Sequence, residues 1–523
     1  MKKPFTLLLT LSFSVALSIA QAQDIIPLPQ KMVSCQGTVK TRSLNKVRYV
    51  TDTGMGQEAY RLEITRKGVT ITASSEKGRF YARQTLAQLA EGCTDGKISC
   101  MHIQDWPRYD YRGFMLDVSR HFFSVAEIKK LVDVMARYKM NVFHWHLTDD
   151  HGWRAEIRKW PRLTTVGSVR SDSWDTDFRP DTLNTTGTSK YYTGQSGYTG
   201  KTYGPYYYTR EDMKEIVRYC AERHIDVLPE VDMPGHFKAA MAAYPQFSCT
   251  PEASHQVWTA SWGVNDDVLN VGNRQAVDFA KDILDELCDI FPYPYIHIGG
   301  DECPTTAWEK NQMCQEQFRK LGLKHVRALQ SNFIKEMSDY LRQKGKKIIC
   351  WNESVTAEGA DLDMIRQTDA TIFCWVGSKP AAKKAIGMGL DVVLSEIHST
   401  DGSYYINRRP SAEPGEPTGA GAGDDTVEKT YTYNPLPDGL SAGQQRLVRG
   451  VQATCWTEWI SSNSYLEYLV LPKLICVAEA AWTSPCSKEW EDFRRRLTKQ
   501  TEWLDANGYI YSCHWKKDYT PRK

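Results

Sequence analysis

Residues 141–150, NVFHWHLTDD, place two consecutive carboxylates at the end of an apolar run. The aliphatic and aromatic residues over 141–147 are typical of a buried strand, and residues 124–138 before them have the spacing of an amphipathic helix. Asp149 and Asp150 follow where that strand should end. A helix leading into a buried strand with polar residues at its end is one unit of an alternating β/α fold.

The same unit recurs along the rest of the chain. The strand candidates are residues 111–117, 141–147, 225–230, 295–300, 347–351, 371–375, 391–395 and 450–454. Helical spacing lies between most of them, at residues 124–138, 209–223, 274–290, 326–344 and 464–479. Eight such units predict a (β/α)8 TIM barrel. A doubly wound sheet is the rival, but it usually has a Gly-rich turn after its first strand, where this chain has DVSRHF.

Four segments are predicted from these patterns. Residues 1–22 contain Lys2 and Lys3, an apolar run and the motif Ala20-Gln21-Ala22, which predict a signal peptide and therefore a periplasmic or secreted protein. Residues 23–107 predict a small α+β N-terminal domain, with a strand over 68–74 and a helix over 76–90. Residues 108–507 would form the barrel and 508–523 a C-terminal tail. No later apolar run is long enough for stable membrane insertion after signal removal.

Charge and cysteine content narrow the classes of partner. The 65 Lys and Arg balance 63 Asp and Glu, for a net charge of +2, so there is no basic field for nucleic acid. Many of the 14 cysteines lie in apolar runs, as core residues do. Cys93 and Cys100 flank a turn and are the one candidate disulfide pair, and no CxxC pair indicates zinc.

The histidines of the opening stretch suggest a metal site as an alternative. His144 and His146 form an HxH motif, as in some barrel metallohydrolases, but such a site needs further ligands from later strands. Only His236 and His297 lie near later strand ends, so we expect no metal and no other cofactor.

Polar and aromatic residues cluster at the predicted strand ends, which converge on one pocket in a barrel. They are Arg120 and His121, Asp149 and Asp150, Glu230, Asp232 and His236, Asp301 and Glu302, Trp351 and Glu353, Trp375, Tyr405 and Asn407, and Trp456 and Glu458. Two long connections, 171–208 and 408–440, leave the same face and are predicted to be loops facing the substrate.

The motif HIGGDE (297–302) carries the strongest chemical signal. Two adjacent carboxylates approach a ligand from one side, whereas a conventional retaining glycosidase places its two carboxylates on opposite sides of the sugar. One of the pair is therefore expected to be a general acid, with the attack on C1 coming from elsewhere.

Five motifs resemble those of family 20 glycoside hydrolases, the β-N-acetylhexosaminidases: LDVSRHF (116–122), HWHLTDD (144–150), PEVDMPGH (229–236), HIGGDE (297–302) and CWTEW (455–459). The resemblance implies exo-acting, retaining release of terminal β-linked GlcNAc or GalNAc from glycans. The substrate's acetamido oxygen would attack C1 and form an oxazolinium intermediate, Glu302 would be acid then base, and Asp301 would orient the acetamido group.

The resemblance also implies roles for other strand-end residues. Arg120 and Glu458 would bind sugar hydroxyls. Tyr405 would donate a hydrogen bond to the acetamido oxygen, and Asn407 would contact the 6-hydroxyl. The walls of the pocket would be formed by Trp351, Trp375 and Trp456. Asp149 and His236 would tune Glu302, supported by Asp232 and His146. Tyr404 could replace Tyr405, since the two are adjacent.

Three other functions remain open at this point. A family relative could release a disaccharide such as lacto-N-biose from a more open pocket. A barrel metallohydrolase could use the HxH motif. A barrel without activity could bind carbohydrate, although binding alone needs no paired acids.

Overall fold

The computed structural model describes residues 24–44, 46–93, 96–176, 178–180, 191–193, 197–253, 255–258, 262–397, 399, 401–410 and 425–517. The predicted signal peptide and residues 411–424 of the second long connection lie outside these ranges. The chain divides into two compact units. One contains Pro29–Trp106, and the other contains Ile26–Leu28 and the chain from Pro107 onward.

The first unit is a five-stranded sheet with one helix. Its strands are β1 (Lys31–Lys40), β2 (Val47–Thr51), β3 (Tyr60–Thr65), β4 (Gly68–Ala73) and β5 (Lys97–Asp105), in the order β1-β5-β3-β4-β2. Alternate residues of β3 and β4 are buried, as a half-buried strand requires. The helix α1 (Glu76–Glu91) begins after Ser75, whose side chain accepts a hydrogen bond from the Gly78 N–H.

The predicted Cys93–Cys100 disulfide is wrong for this structure, because neither cysteine forms a disulfide bond. The Cys93 thiol donates to the Leu89 carbonyl at the end of α1, 3.1 Å away. Cys100 is instead buried within β5.

The second unit is a closed parallel barrel, which confirms the predicted TIM-barrel fold. Its strands are β6 (Tyr111–Asp117), β7 (Val142–His146), β8 (Asp226–Glu230), β9 (Tyr295–His297), β10 (Lys347–Trp351), β11 (Thr371–Cys374), β12 (Val392–Leu394) and β13 (Val448–Cys455). They pair in chain order, and β13 closes on β6. The main helices are α2 (Val125–Arg137), α3 (Arg210–Ala221), α4 (Arg274–Ile290), α5 (Ala328–Gln343), α6 (Ser378–Gly387), α7 (Asn463–Val470), α8 (Lys473–Trp482) and α9 (Trp490–Ala506).

One predicted helix is divided in two. The pattern over 464–479 predicted a single helix, but α7 ends before Leu471 and α8 begins after Pro472. Proline lacks an N–H and disfavours helical geometry in the residue before it. Leu471 is accordingly extended, with φ −103° and ψ 133°.

Short elements fill the connections. The short strands are Thr148–Asp149, Gly152–Trp153, Trp174–Asp175, Phe178–Pro180, Tyr191–Thr193 and Gly197–Tyr198. The short helices are Thr41–Ser43, Arg162–Thr165, Lys238–Ala243, Pro245–Phe247, Thr306–Lys310, Gln312–Lys320, Glu353–Thr356, Leu362–Arg366, Val427–Thr432, Ala442–Gln445 and Pro485–Ser487. Within the described ranges, no helix has the length and apolarity needed to cross a bilayer.

The barrel interior has an apolar part and a polar part. Met115, Val142, Leu228, Ile349 and Phe373 belong to one buried cluster, which the indoles of three tryptophans join from the carboxyl ends of the strands. Inward-facing polar side chains of β7, β8, β9 and β13 form a polar layer in the same interior. This layer supports the pocket above it.

Candidate active site

The backbone after β9 turns sharply before it presents Asp301 and Glu302. Gly299 and Gly300 have φ of 65° and 92°, in the left-handed region that favours glycine. A Cβ on Gly299 would lie 1.8 Å from Asp232 Oδ1, so no other residue fits there without displacing that carboxyl. Glu302 itself has φ of 42°, a strained conformation of the kind that concentrates at functional sites.

Asp301 lies against a second carboxyl, that of Asp232. Asp301 is 2 % exposed, and its pKa is raised well above the ordinary range by burial and then by the nearby charge of Asp232. Burial likewise raises the pKa of Asp232 to about 8. Asp232 Oδ1 accepts a hydrogen bond from the Gly300 N–H at 2.9 Å. At neutral pH the pair therefore retains a proton in the ligand-free protein.

Glu302 reaches solvent and has an imidazole behind it. Its side chain is 44 % exposed, and its Oε2 lies 3.5 Å from His236 Nε2. The His236 imidazole lowers the pKa of Glu302 below its ordinary value. On its other side, His236 Nδ1 lies 3.0 Å from Asp150 Oδ2 and 3.4 Å from Asp149 Oδ1. Burial alone would lower the pKa of His236, but these carboxylates raise it well above 6.5.

Asp149 links that imidazole to Arg120. Asp149 Oδ2 lies 2.8 Å from Arg120 Nη2 and 3.0 Å from His146 Nε2. Burial opposes ionisation of Asp149, but Arg120 and His236 hold its pKa well below 3.8. Arg120 Nη1 also lies 3.3 Å from Asp117 Oδ2. The guanidinium is thus fixed by carboxylates on β6 and just after β7.

Three tryptophan rings form a wall beside these charges. The ring centroids of Trp351, Trp375 and Trp456 are 5.8 to 6.0 Å from one another. The Arg120 guanidinium lies 5.2 Å from the Trp456 ring centroid. Flat apolar faces bordered by fixed charges suit a sugar ring, which is apolar on its faces and polar at its edge.

Several buried polar atoms around this wall have no hydrogen-bond partner among the described residues. They are Asp301 Oδ1, Arg120 Nε, Asn407 Oδ1, Trp456 Nε1 and Glu458 Oε2. Burial also raises the pKa of Glu458 to about 7. An unpaired buried polar atom is costly, so a set of them around one pocket indicates a polar ligand.

The structure separates the two candidate tyrosines. Tyr405 belongs to the buried cluster with Trp351, Trp375 and Trp456, close to Glu458 and Asn407. Tyr404 packs instead against Tyr433, with ring centroids 5.3 Å apart. Tyr405 is therefore the tyrosine at the pocket. Asn407 is held there because its Nδ2 donates to the Trp456 carbonyl at 2.6 Å.

The HxH histidines converge on Glu230, at the end of β8. Its carboxylate lies 2.9 Å from His144 Nε2, 2.6 Å from His146 Nδ1 and 2.9 Å from His297 Nδ1, and it accepts a 2.7 Å hydrogen bond from Trp351 Nε1. Burial opposes its ionisation, but the imidazoles hold the pKa of Glu230 well below 4.5.

His144, Glu230 and His297 could offer three ligand atoms to one metal ion, since these lie within 4.8 Å of one another. Burial alone would lower the pKa of His146, but Glu230 and Asp149 raise it to about 10. A protonated imidazole cannot ligate a metal. Glu230 therefore serves as the counter-ion of His146.

The structure brings all thirteen predicted site residues to one end of the barrel or the layer below it. It adds Asp150, Glu230 and Glu353, to which the sequence motifs assigned no role. All three are acids at predicted strand ends, and this position was the only feature of the sequence that indicated a place in the site.

Family models and known proteins match this chain over most of its length. The model "Glycosyl hydrolase family 20, catalytic domain" matches residues 109–485, and "Glycosyl hydrolase family 20, domain 2" matches 34–106. A β-hexosaminidase of Porphyromonas gingivalis is 38 % identical over 87 % of this chain, which spans 54 % of that relative. A β-hexosaminidase of Akkermansia muciniphila is 32 % identical, covering 96 % of this chain and 95 % of the relative. The structure is also similar to that of an exo-β-N-acetylglucosaminidase of Vibrio harveyi in complex with N-acetylglucosamine, with a TM-score of 0.78 and 29 % identity over 94 % of this chain and 78 % of that one.

Proposed function

Because the chain belongs to glycosyl hydrolase family 20, we propose that it is an exo-acting β-N-acetylhexosaminidase. It would release terminal β-linked GlcNAc or GalNAc from oligosaccharides and glycoconjugates, with retention at C1. The observation that carries the proposal is the set of unpaired buried polar atoms around three tryptophan rings, beside two adjacent carboxyls.

Glu302 is the proposed acid and base. It lies at the solvent-exposed side of the pocket, where a glycosidic oxygen and then a water molecule can reach it. In the free protein its pKa is lowered by His236. A bound sugar would exclude water from the carboxyl, and this desolvation raises its affinity for the proton that it must deliver.

Asp301 is the proposed partner of the acetamido group. Its buried Oδ1 is unpaired and can accept the acetamido N–H. When the acetamido oxygen attacks C1, positive charge develops on the acetamido group, and an anionic Asp301 stabilises it in a site without water. For Asp301 to be ionised, the proton that this buried pair retains must move to Asp232 when the substrate binds.

Arg120 and Glu458 are the proposed ligands of the sugar hydroxyls. Arg120 is 6 % exposed and is fixed by Asp117 and Asp149, and its Nε has no partner among the described residues, so it could donate to sugar hydroxyls from a fixed position. Binding of hydroxyls by so deeply buried an arginine favours recognition of a terminal sugar, and therefore exo action, over release of a disaccharide. Tyr405, Asn407 and the supporting Asp149, His236, Asp232 and His146 complete the proposed site.

Export is the proposed localisation. It is supported by the pattern of residues 1–22 in the sequence. Cell fractionation and N-terminal sequencing of the mature protein test it, and a mature chain that begins at Met1 contradicts it.

The function is tested with aryl glycosides of β-GlcNAc, β-GalNAc, β-glucose and lacto-N-biose. We expect turnover of the two N-acetylhexosaminides alone, and inhibition by an acetamide-derived thiazoline.

Glu302→Gln should lose about 10²–10⁴-fold in rate on substrates with poor leaving groups, the typical contribution of general acid catalysis. Near wild-type turnover by this variant would refute the acid assignment. We expect exhaustive chelation to leave the rate unchanged. A loss of activity after chelation would favour the alternative of a metallohydrolase that uses the HxH motif.

A further inference from the structure

Glu353 is an acid beside the pocket that the mechanism above does not use. It is the first residue of the short helix Glu353–Thr356, directly after β10. At such a position an acid ordinarily points to solvent and interacts with the helix dipole. Here the side chain is partly buried, and its two oxygens lie 3.1 and 2.9 Å from Trp375 Nε1.

The residue before Glu353 fixes the other end of Trp375. Asn352 is 2 % exposed, and its Oδ1 accepts hydrogen bonds from the Trp375 N–H at 2.9 Å and the Val376 N–H at 3.3 Å. Consecutive residues of one strand end therefore hold Trp375 by its backbone and by its indole. With both ends fixed, the ring cannot turn about its side-chain bonds without losing a hydrogen bond.

The place of Glu353 has an electrostatic cost. Burial, and then the charge of Asp301, raise the pKa of Glu353 to about 8. A partly buried carboxyl near another acid is unfavourable unless a donor compensates, and the indole N–H is that donor. The Trp351 N–H donates to the Gly299 carbonyl at 3.0 Å, so the strand end that carries Glu353 adjoins the one that carries Asp301, where the 2-acylamino group would bind.

We propose that Glu353 is a positioning residue for acyl recognition, which holds the Trp375 indole against the 2-acyl group and so limits the acyl length that the pocket accepts. This inference rests on the proposed function, because it assumes a 2-acylamino sugar bound at Asp301. The specificity follows from packing, since one extra methylene in a close-fitting pocket changes kcat/KM by about 10-fold or more.

The test compares aryl β-glycosides that carry N-acetyl, N-propionyl or N-butanoyl groups. In the wild type we expect kcat/KM to fall at least about 10-fold from acetyl to propionyl. In Glu353→Ala the freed indole should lower kcat/KM for the acetyl substrate and reduce the acetyl-to-propionyl ratio several-fold. Glu353→Gln should keep the wild-type ratio, because its amide oxygen still accepts the indole N–H. The matched control is Glu358→Ala, at an exposed position of the same loop.

A double-mutant cycle covers the case in which Glu353→Ala is poorly folded. Glu353→Met keeps the length of the side chain but removes the oxygens that accept the indole N–H, and Trp375→Phe keeps an aromatic ring but lacks the N–H. Each single variant should lose activity, and the loss in Glu353→Met,Trp375→Phe should equal that in Trp375→Phe alone. Additive losses would overturn the inference, as would a folded Glu353→Ala with the wild-type acyl ratio. A wild-type protein inactive on every acylamino glycoside would instead refute the proposed function.

Discussion

The carboxylate of Glu230 offers the sharpest test of the polar layer under the pocket. Glu230→Gln changes neither shape nor volume, but one carboxylate oxygen becomes an NH2 group. One oxygen faces His144 and His146, and the other faces His297 and Trp351. In either orientation the new NH2 group therefore points at one nitrogen that needs an acceptor, either His146 Nδ1 or Trp351 Nε1, since His297 Nδ1 itself accepts from the Gly299 N–H.

The expected loss follows from that count. A buried donor left without an acceptor costs about 1–3 kcal/mol, and His146 loses its anionic partner in addition. Removing one partner of a buried ion pair costs roughly 3–5 kcal/mol, so we expect a loss in that range. In a unit of this size about 1–2 °C is lost per kcal/mol, so ~4 kcal/mol lowers the Tm by roughly 4–8 °C.

The assay is thermal unfolding at pH 7 under reducing conditions, with kcat/KM measured in parallel. The control is Glu316→Gln, the same change at an exposed glutamate that accepts a 2.8 Å hydrogen bond from Gln312. Its Tm should not change. We expect Glu230→Gln also to lose activity, because the Trp351 indole is anchored on Glu230. A Glu230→Gln variant with the Tm of the wild type would show that the layer does not depend on the anion.

Two further predictions concern carboxyls with raised pKa values. Asp301→Asn should weaken binding of a thiazoline mimic of the intermediate by at least about 10-fold, the value of one lost charge-assisted hydrogen bond; unchanged affinity in calorimetry would refute the substrate-assisted mechanism. Burial, and then Glu467, raise the pKa of Glu127 to about 8, from 4.5 in the unfolded chain, so stability is lost as pH rises through that window. Glu127→Gln cannot titrate and should show a smaller fall in Tm between pH 6 and 9; an equal fall in both proteins would contradict this.

The strands could be predicted from the sequence because each is buried on both faces. β6 and β10 have the predicted bounds, and the other barrel strands differ by a few residues at their ends. The prediction of a single helix over 464–479 was wrong because the apolar spacing continues through Pro472, whereas the helical backbone is interrupted there.

The directions of side chains beyond the strand ends could not be predicted. The alternation of side chains ends at the last residue of a strand, and the conformation of the turn that follows determines the direction of the next side chain. After β7 a small hairpin pairs Thr148–Asp149 with Gly152–Trp153, and it turns both acids inward, so that Asp150 approaches His236 more closely than Asp149. Glu353 is similar, since only the folded turn shows that it faces Trp375 rather than solvent.

Asp149 touches both the arginine proposed to bind sugar hydroxyls and the imidazole behind the proposed acid. The negative charge of this carboxylate is thus divided between the two ends of the pocket. A hydroxyl that engages Arg120 weakens its hold on Asp149 and leaves more of that charge to His236. Recognition of a sugar's distant hydroxyls would then alter the acidity of Glu302, so a substrate with one inverted hydroxyl would be processed at a different pH optimum as well as bound less tightly.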